Sequence, residues 1–312
     1  MPDRQLTLIV RLPNWVGDVV MALPALQALQ QSGLTLHLIG KPWIKDLLAA
    51  TGMNLISLPH GFRQSTKILM RLDDSKMLLM TNSLSSALMA RLAGKKISGY
   101  KTDGRRLLLN AGMAKGKGQH EVQYFWDIAR FTLQYWFEDL QWPKEIPNKL
   151  SLPLCLTTQT TVKNTLDRAK ISPPFWVLCP FAHGTNQQGE SKIWPYWKDL
   201  ACQLSSKALV VCPGKNEESL CAQFGTGVTV LSRLNLQEYA IVLSQAEKVI
   251  ANDSGPMHIA AAVGADTLGI FGVSDPHRTR PWGCDYIGDK NHWPSLSAVV
   301  NHIGKESLQM IP

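Results

Sequence analysis

An α/β fold built as two doubly wound domains is what this sequence predicts, on three observations. Short apolar runs alternate with helical runs through both halves of the chain, a proline-bearing stretch interrupts them near the middle, and 312 residues exceed what a single core usually encloses. Apolar residues make up 45% and charged residues 18%, the balance of a globular chain. No apolar run approaches the ~20 residues that cross a bilayer, and the N-terminus lacks the apolar core of a signal peptide, so the expected compartment is the cytosol.

The first strand is expected over residues 6–12, followed by a helix over 16–31 whose Val19, Val20, Ala22, Leu23, Leu26 and Leu29 form its apolar face. A strand over 35–39, a helix near 43–50, strands over 55–58 and 76–81 and a helix over 83–92 continue the βαβ rhythm. A long helical pattern, 121–137, ends this half. Pro143, Pro147 and Pro153 then interrupt regular structure, so the boundary divides the chain into domains 1–150 and 151–312. The alternation restarts with a helix over 160–169, strand 175–179, helix 194–204, strand 208–212, helix 217–224, strand 228–231, helix 236–244 and strand 248–251. A last helix over 296–309 can pack back on the first domain.

Two strand-to-helix turns carry the chemistry. Asn252-Asp253-Ser254-Gly255-Pro256-Met257-His258 follows an apolar strand and opens an apolar helix. A helix N-terminus presents unpaired N–H groups and about half a positive charge, so this turn suits a diphosphate. The other turn, Arg11-Leu12-Pro13-Asn14-Trp15-Val16-Gly17-Asp18, puts a carboxylate at the head of the first long helix. Taken alone, Asp18 reads more readily as a helix cap than as a base. By the same measure Ser254 reads as an N-cap, Asp253 as a turn former, Lys192 as a solvated residue and His258 as a core histidine.

The formal charge of +8 is unevenly spread: residues 1–150 hold 19 Lys/Arg against 11 Asp/Glu, and 151–312 hold 13 of each. Arg91, Lys95, Lys96, Lys101, Arg105, Arg106, Lys115 and Lys117 have only Asp103 among them, which suits an anionic partner. Nucleic acid is disfavoured, because Tyr100 is the single aromatic in that stretch. The six cysteines form no C-x-x-C pair and have no histidine at zinc spacing, so they read as free thiols, mostly buried. Neither a G-x-G-x-x-G after the first strand nor a P-loop is present, which argues against a dehydrogenase and a nucleotide hydrolase.

Together the two turns resemble those of glycosyltransferase family 9, the lipopolysaccharide heptosyltransferases, and the first looks most like the heptosyltransferase II branch. Between them Lys192-Ile193-Trp194-Pro195 resembles the family's Lys-x-Trp-Pro, and Ser98-Gly99-Tyr100 with Arg105-Arg106 resembles an acceptor-side stretch. The segment 181–191 departs from the pattern by being longer than the family's loop. The resemblance implies a GT-B architecture of two Rossmann-like domains facing across a cleft, the first binding acceptor and the second donor. It implies Asp18 as general base in an inverting transfer of heptose from ADP-heptose to a hydroxyl of the lipopolysaccharide core. It further implies Lys192, Thr185, Asp253, Ser254, Gly255, Met257 and His258 on the donor, Glu217 or Glu218 on its ribose, and Asn14, Arg105 and Arg106 on the acceptor. The implied partners are a nucleotide sugar and an anionic lipid-linked oligosaccharide, met in the cytoplasm at the inner membrane through peripheral contact.

The reaction asks for these groups on its own account. A sugar hydroxyl is a poor nucleophile and needs a carboxylate to take its proton, while the departing diphosphate needs positive charge. No Asp-x-Asp metal motif is present, so Lys192 and the helix after Ser254 are expected to supply that charge without metal or cofactor. A nucleotide-sugar epimerase on the same scaffold, or a homologue that binds without turnover, is the alternative.

Overall fold

The computed structural model describes residues 6–184 and 189–309, and the chain divides into two compact units, Met1–Asn148 and Lys149–Pro312. The first unit runs β1 (Thr7–Arg11), α1 (Val16–Gln31), β2 (Thr35–Gly40), α2 (Ile44–Leu47), β3 (Asn54–Ser57), α3 (Phe62–Met70), β4 (Lys76–Leu79), α4 (Leu84–Leu92), β5 (Lys96–Tyr100), β6 (Ala111–Met113) and α5 (Glu121–Trp136). Its six strands are all parallel, in the order β3-β2-β1-β4-β5-β6. The chain reverses its direction of winding between β1 and β4, which leaves a crevice at their C-terminal ends.

The second unit runs α6 (Leu156–Arg168), β7 (Trp176–Cys179), α7 (Trp197–Gln203), β8 (Leu209–Val211), β9 (Val228–Val230), α8 (Leu236–Gln245), β10 (Lys248–Asn252), α9 (Gly255–Ala262), β11 (Thr267–Ile270), α10 (Pro276–Thr279), β12 (Asp285–Ile287) and α11 (Leu296–Gln309). Its order, β12-β11-β10-β7-β8-β9, repeats the first with β7 and β10 at the switch point. Every residue of β7, β10 and β11 is buried. Helices cover both faces of such a sheet, so its central strands are buried on both sides and mostly apolar rather than alternating, with Lys248, Asn252 and Thr267 the polar exceptions at strand ends.

Helix α1 is buried from Gly17 to Leu29 on nearly every side, because it lies between the sheet and α5. Its interior Pro24 lacks an N–H and so leaves one turn of the ladder open.

In the second unit, helix α11 buries Val299 and Ile303 in the core with Trp194 and Trp197. Several expectations need correcting. The helix expected from 194 starts at Trp197, and the Trp194 amide ahead of it donates to the Asn252 side chain at 3.0 Å. The helix expected over 217–224 is a 3₁₀ run, Glu218–Gly227, broken at Gly225 (φ 60°, ψ −148°). All six thiols are free, but only Cys179 and Cys221 are buried; Cys155, Cys212 and Cys284 are half-buried and Cys202 is exposed. Among the described residues, no helix is long and apolar enough to cross a membrane, and no group of three or more His, Cys, Asp or Glu side chains could hold a metal ion.

Candidate functional site

At the first unit's switch point, Asp18 borders a groove of about 180 Å³ together with Asn14, Trp15, Asn82, Ser83, Glu121 and Tyr124. Trp15, not Asp18, holds the N-cap position of α1, with extended backbone (φ −113°, ψ 143°) and no capping side chain. Asp18 is the third helical residue, in the first turn where backbone N–H groups still lack helical partners and favour a carboxylate. The cap expectation is thus replaced by a half-buried acid at a cavity wall.

Across the groove, Asn82 follows β4 and receives three donors on its side-chain oxygen: the Tyr124 hydroxyl at 2.8 Å, Arg105 Nη2 at 3.2 Å and the Thr102 hydroxyl at 3.2 Å. Three donors on one oxygen fix the amide's orientation and turn its NH₂ away from them. The Tyr124 ring stacks on Tyr100 at 4.2 Å, and the Tyr100 hydroxyl donates to the Tyr124 carbonyl at 2.7 Å. Burial pushes the Tyr124 hydroxyl up to about 12. Asn82, Tyr124 and Glu121 went unread in the sequence. The signal for Asn82 was the polar Thr81-Asn82-Ser83 directly after an apolar strand.

Arg105 is not a surface cation. It is fully buried, donating from Nε to the Tyr100 carbonyl at 2.8 Å, from Nη1 to the Thr81 carbonyl and from Nη2 to Asn82. Desolvation lowers its pKa. Its donors tie β4, β5 and the groove wall together, so its work is internal. Lys95 is likewise buried, its ammonium on the carbonyls of Leu72 and Asp74. Arg106 is exposed, as expected. Asn14 accepts from Arg11 Nη2 at 2.9 Å and borders a second groove, about 350 Å³, that also holds Lys41 and His60.

In the second unit the Lys192 ammonium pairs with the Asp253 carboxylate at 2.8 Å; the two side chains are 27% and 6% exposed. Lys192 is therefore not a merely solvated residue. Asn252 holds this arrangement: its amide donates to the Pro180 carbonyl at 2.6 Å and accepts the Trp194 amide at 3.0 Å and the Trp197 indole at 3.2 Å. Trp194, almost fully buried, also donates to the Pro294 carbonyl at 2.9 Å. The indole of the Lys-x-Trp-Pro segment is thus the anchor that delivers Lys192 to the turn.

Ser254 occupies the N-cap position of α9, though its hydroxyl donates to the Asn252 carbonyl at 3.2 Å instead of capping. Because Pro256 has no N–H, the donors at this helix end come from the backbone of Gly255 and Met257. The Met257 side chain is fully buried next to Gly269, so only its backbone faces the turn. His258 lies buried one position on. Glu217 has both carboxylate oxygens engaged, Oε2 accepting the Gly214 amide at 2.7 Å and Oε1 meeting His183 Nε2 at 3.1 Å. Its neighbour Glu218 instead borders a groove of about 670 Å³ with Lys215, Asn216, Arg233 and Asn235. Thr185 lies outside the described residues.

Comparison with known proteins adds to this geometry. The description "Glycosyltransferase family 9 (heptosyltransferase)" matches residues 67–299. Lipooligosaccharide heptosyltransferase 2 of Haemophilus ducreyi is 25% identical over 305 residues, covering 86% of this chain and 84% of that protein. Among solved structures, the ADP-heptose LPS heptosyltransferase II of E. coli shares the fold with a TM-score of 0.77 at 22% identity, covering 97% and 99% of the two chains. A UDP-GlcNAc 2-epimerase of Methanocaldococcus jannaschii shares it more distantly, with a TM-score of 0.51 at 11% identity and 96% and 91% coverage.

Proposed function

Glycosyltransferase family 9 is the family to which this chain belongs, and on that premise we propose that it transfers heptose from ADP-heptose to a hydroxyl of an anionic, lipid-linked lipopolysaccharide core, inverting the anomeric centre. Asp18 takes the proton of the acceptor hydroxyl as its oxygen bonds to the anomeric carbon. The bond to the diphosphate breaks in the same step, and ADP leaves with the extra negative charge. Lys192 and the Gly255 and Met257 amides receive that charge, with Asp253, Ser254 and His258 shaping the turn around it. Glu218, facing its groove, is assigned to the ribose ahead of Glu217, whose oxygens are already engaged. Asn14 and Arg106 are assigned to the acceptor, and its lipid-linked character supports a reaction at the cytoplasmic face of the inner membrane with the protein peripheral to it.

The observation that carries this reading is the Lys192–Asp253 pair at the mouth of α9, a cation held ready where an arriving diphosphate can compete for it. The test is a thermal-shift panel of ADP-, UDP-, GDP- and CMP-sugars with product analysis. A ligand at 100 times its Kd stabilises the folded state by about 2.7 kcal/mol, and the ADP-sugar is expected to do so selectively, in the presence of EDTA as in its absence. Selective stabilisation by a UDP-sugar that is returned as its epimer, without transfer, overturns the proposal.

A further inference from the structure

Helix α4 carries leucines on the side where a covering helix ordinarily carries polar groups. Ser86, Ala87 and Ala90 are buried, whereas Leu84, Leu88 and Leu92 are 48%, 42% and 57% exposed. Their four-residue spacing aligns them in one stripe, and Arg91 falls on the same side. Arg91 Nη1 donates to Asn110 at 3.1 Å, which ties the stripe to the adjoining 3₁₀ turn Arg105–Leu108, where Leu107 is 91% exposed. Helix α3 packs along α4 and presents Arg63 and Lys67, with Arg71 at its C-cap, again at four-residue spacing and all exposed. Neither helix contains an acidic residue.

A lone exposed leucine needs no explanation, but a leucine stripe bordered by cations does. We propose that the α3–α4 face docks on an anionic phospholipid bilayer, the leucines entering the acyl boundary while Arg63, Lys67, Arg71 and Arg91 meet the headgroups. Charge complementarity selects this occupant. A second copy would bring the same cations face to face. The inference rests on the lipid-linked acceptor reading only for where a bilayer is met; the chemistry of docking is independent of transfer.

The experiment is co-sedimentation of the full chain with phosphatidylethanolamine vesicles containing phosphatidylglycerol, with phosphatidylcholine vesicles as the control. Wild-type protein is expected on the anionic vesicles at low salt and in the supernatant at high salt. Leu88→Glu lowers partitioning about tenfold, and Lys67→Glu with Arg71→Glu lowers it by a similar factor. Turnover on a deacylated, soluble acceptor is expected to be unchanged in Leu88→Glu, which also reports that the variant folds. Wild-type protein that ignores anionic vesicles, or Leu88→Glu that binds them as wild type does, overturns the proposal. So does a dimer in sedimentation velocity that Leu88→Glu dissociates without altering vesicle binding. Vesicle binding without any ADP-sugar stabilisation would leave this surface standing and remove the transferase reading instead.

Discussion

The two units share one sheet topology yet place their polar machinery on different members of it. In the first, β1 runs within four residues into α1, so the helix of the first switch-point strand brings its own acid, Asp18, to the crevice. In the second, β7 instead feeds the long segment before α7, and it is α9, after the other switch-point strand, that opens on the crevice. The long segment returns to that helix through Asn252 and the Lys192–Asp253 pair. The lesson is that topology fixes where a ligand meets the sheet, while connection length decides which strand supplies the chemistry.

The sharpest way to break the comparison is to remove the acid. Asp18→Asn is expected to cut turnover about 10²–10⁴-fold while leaving ADP-heptose affinity nearly unchanged, as measured by steady-state kinetics beside calorimetric binding. If Glu121→Gln loses more activity than Asp18→Asn, the base belongs to α5 and not to the helix after the first switch-point strand. Next in size, Lys192→Ala should weaken both donor affinity and turnover, with kcat/KM down roughly 10²-fold, because its charge is needed before and during departure of the diphosphate. A variant that lost turnover alone would confine Lys192 to the transition state.

Arg105 and Arg106 separate structure from recognition within the first unit. Arg105→Met strips partners from Thr81, Tyr100 and Asn82 and should cost about 2–3 kcal/mol, read as a fall in Tm of roughly 5–10 °C. Arg106→Ala should leave Tm in place, raise acceptor KM several-fold and blunt its salt dependence. Equal melting losses for both would contradict the buried arrangement.

The smallest effect is alkaline. The Tyr124 hydroxyl titrates near 10 when unfolded and is pushed up to about 12 in the fold, so the unfolded chain sheds this proton first. The stability it contributes is complete below pH 10 and drains away between there and about 12. Denaturant titrations across that window should show a gentler decline for Tyr124→Phe than for wild type.

Much of the fold was readable because buried parallel strands write continuous apolar runs and their helices fill the gaps. The strands β5, β6, β11 and β12 were not, since a glycine or a charged residue interrupts each short run, and neither were the one-turn α10 and α3, whose Arg63, Gln64 and Lys67 dilute the apolar pattern. The two turns were legible for a local reason: Asp253 and Ser254 in one, and Pro13 and Asn14 in the other, stand between an apolar strand and an apolar helix. Arg105 was illegible for the opposite reason. Its acceptors come from Thr81, Asn82 and Tyr100, which only the folded sheet brings around it, and along the chain it looks like any other member of a basic run. The contrast between Glu217 and Glu218 was hidden likewise, because adjacent carboxylates differ only in which way the backbone turns them.

The Asn252 amide that fastens Trp194 and Trp197 has an optical consequence. Both indoles sit within five residues of Lys192, and each has a hydrogen-bonded N–H whose environment should respond when Lys192 exchanges its carboxylate partner for a phosphate. Intrinsic emission, compared between wild type and Trp197→Phe to isolate that indole's share, then serves as a label-free titration of nucleotide-sugar capture.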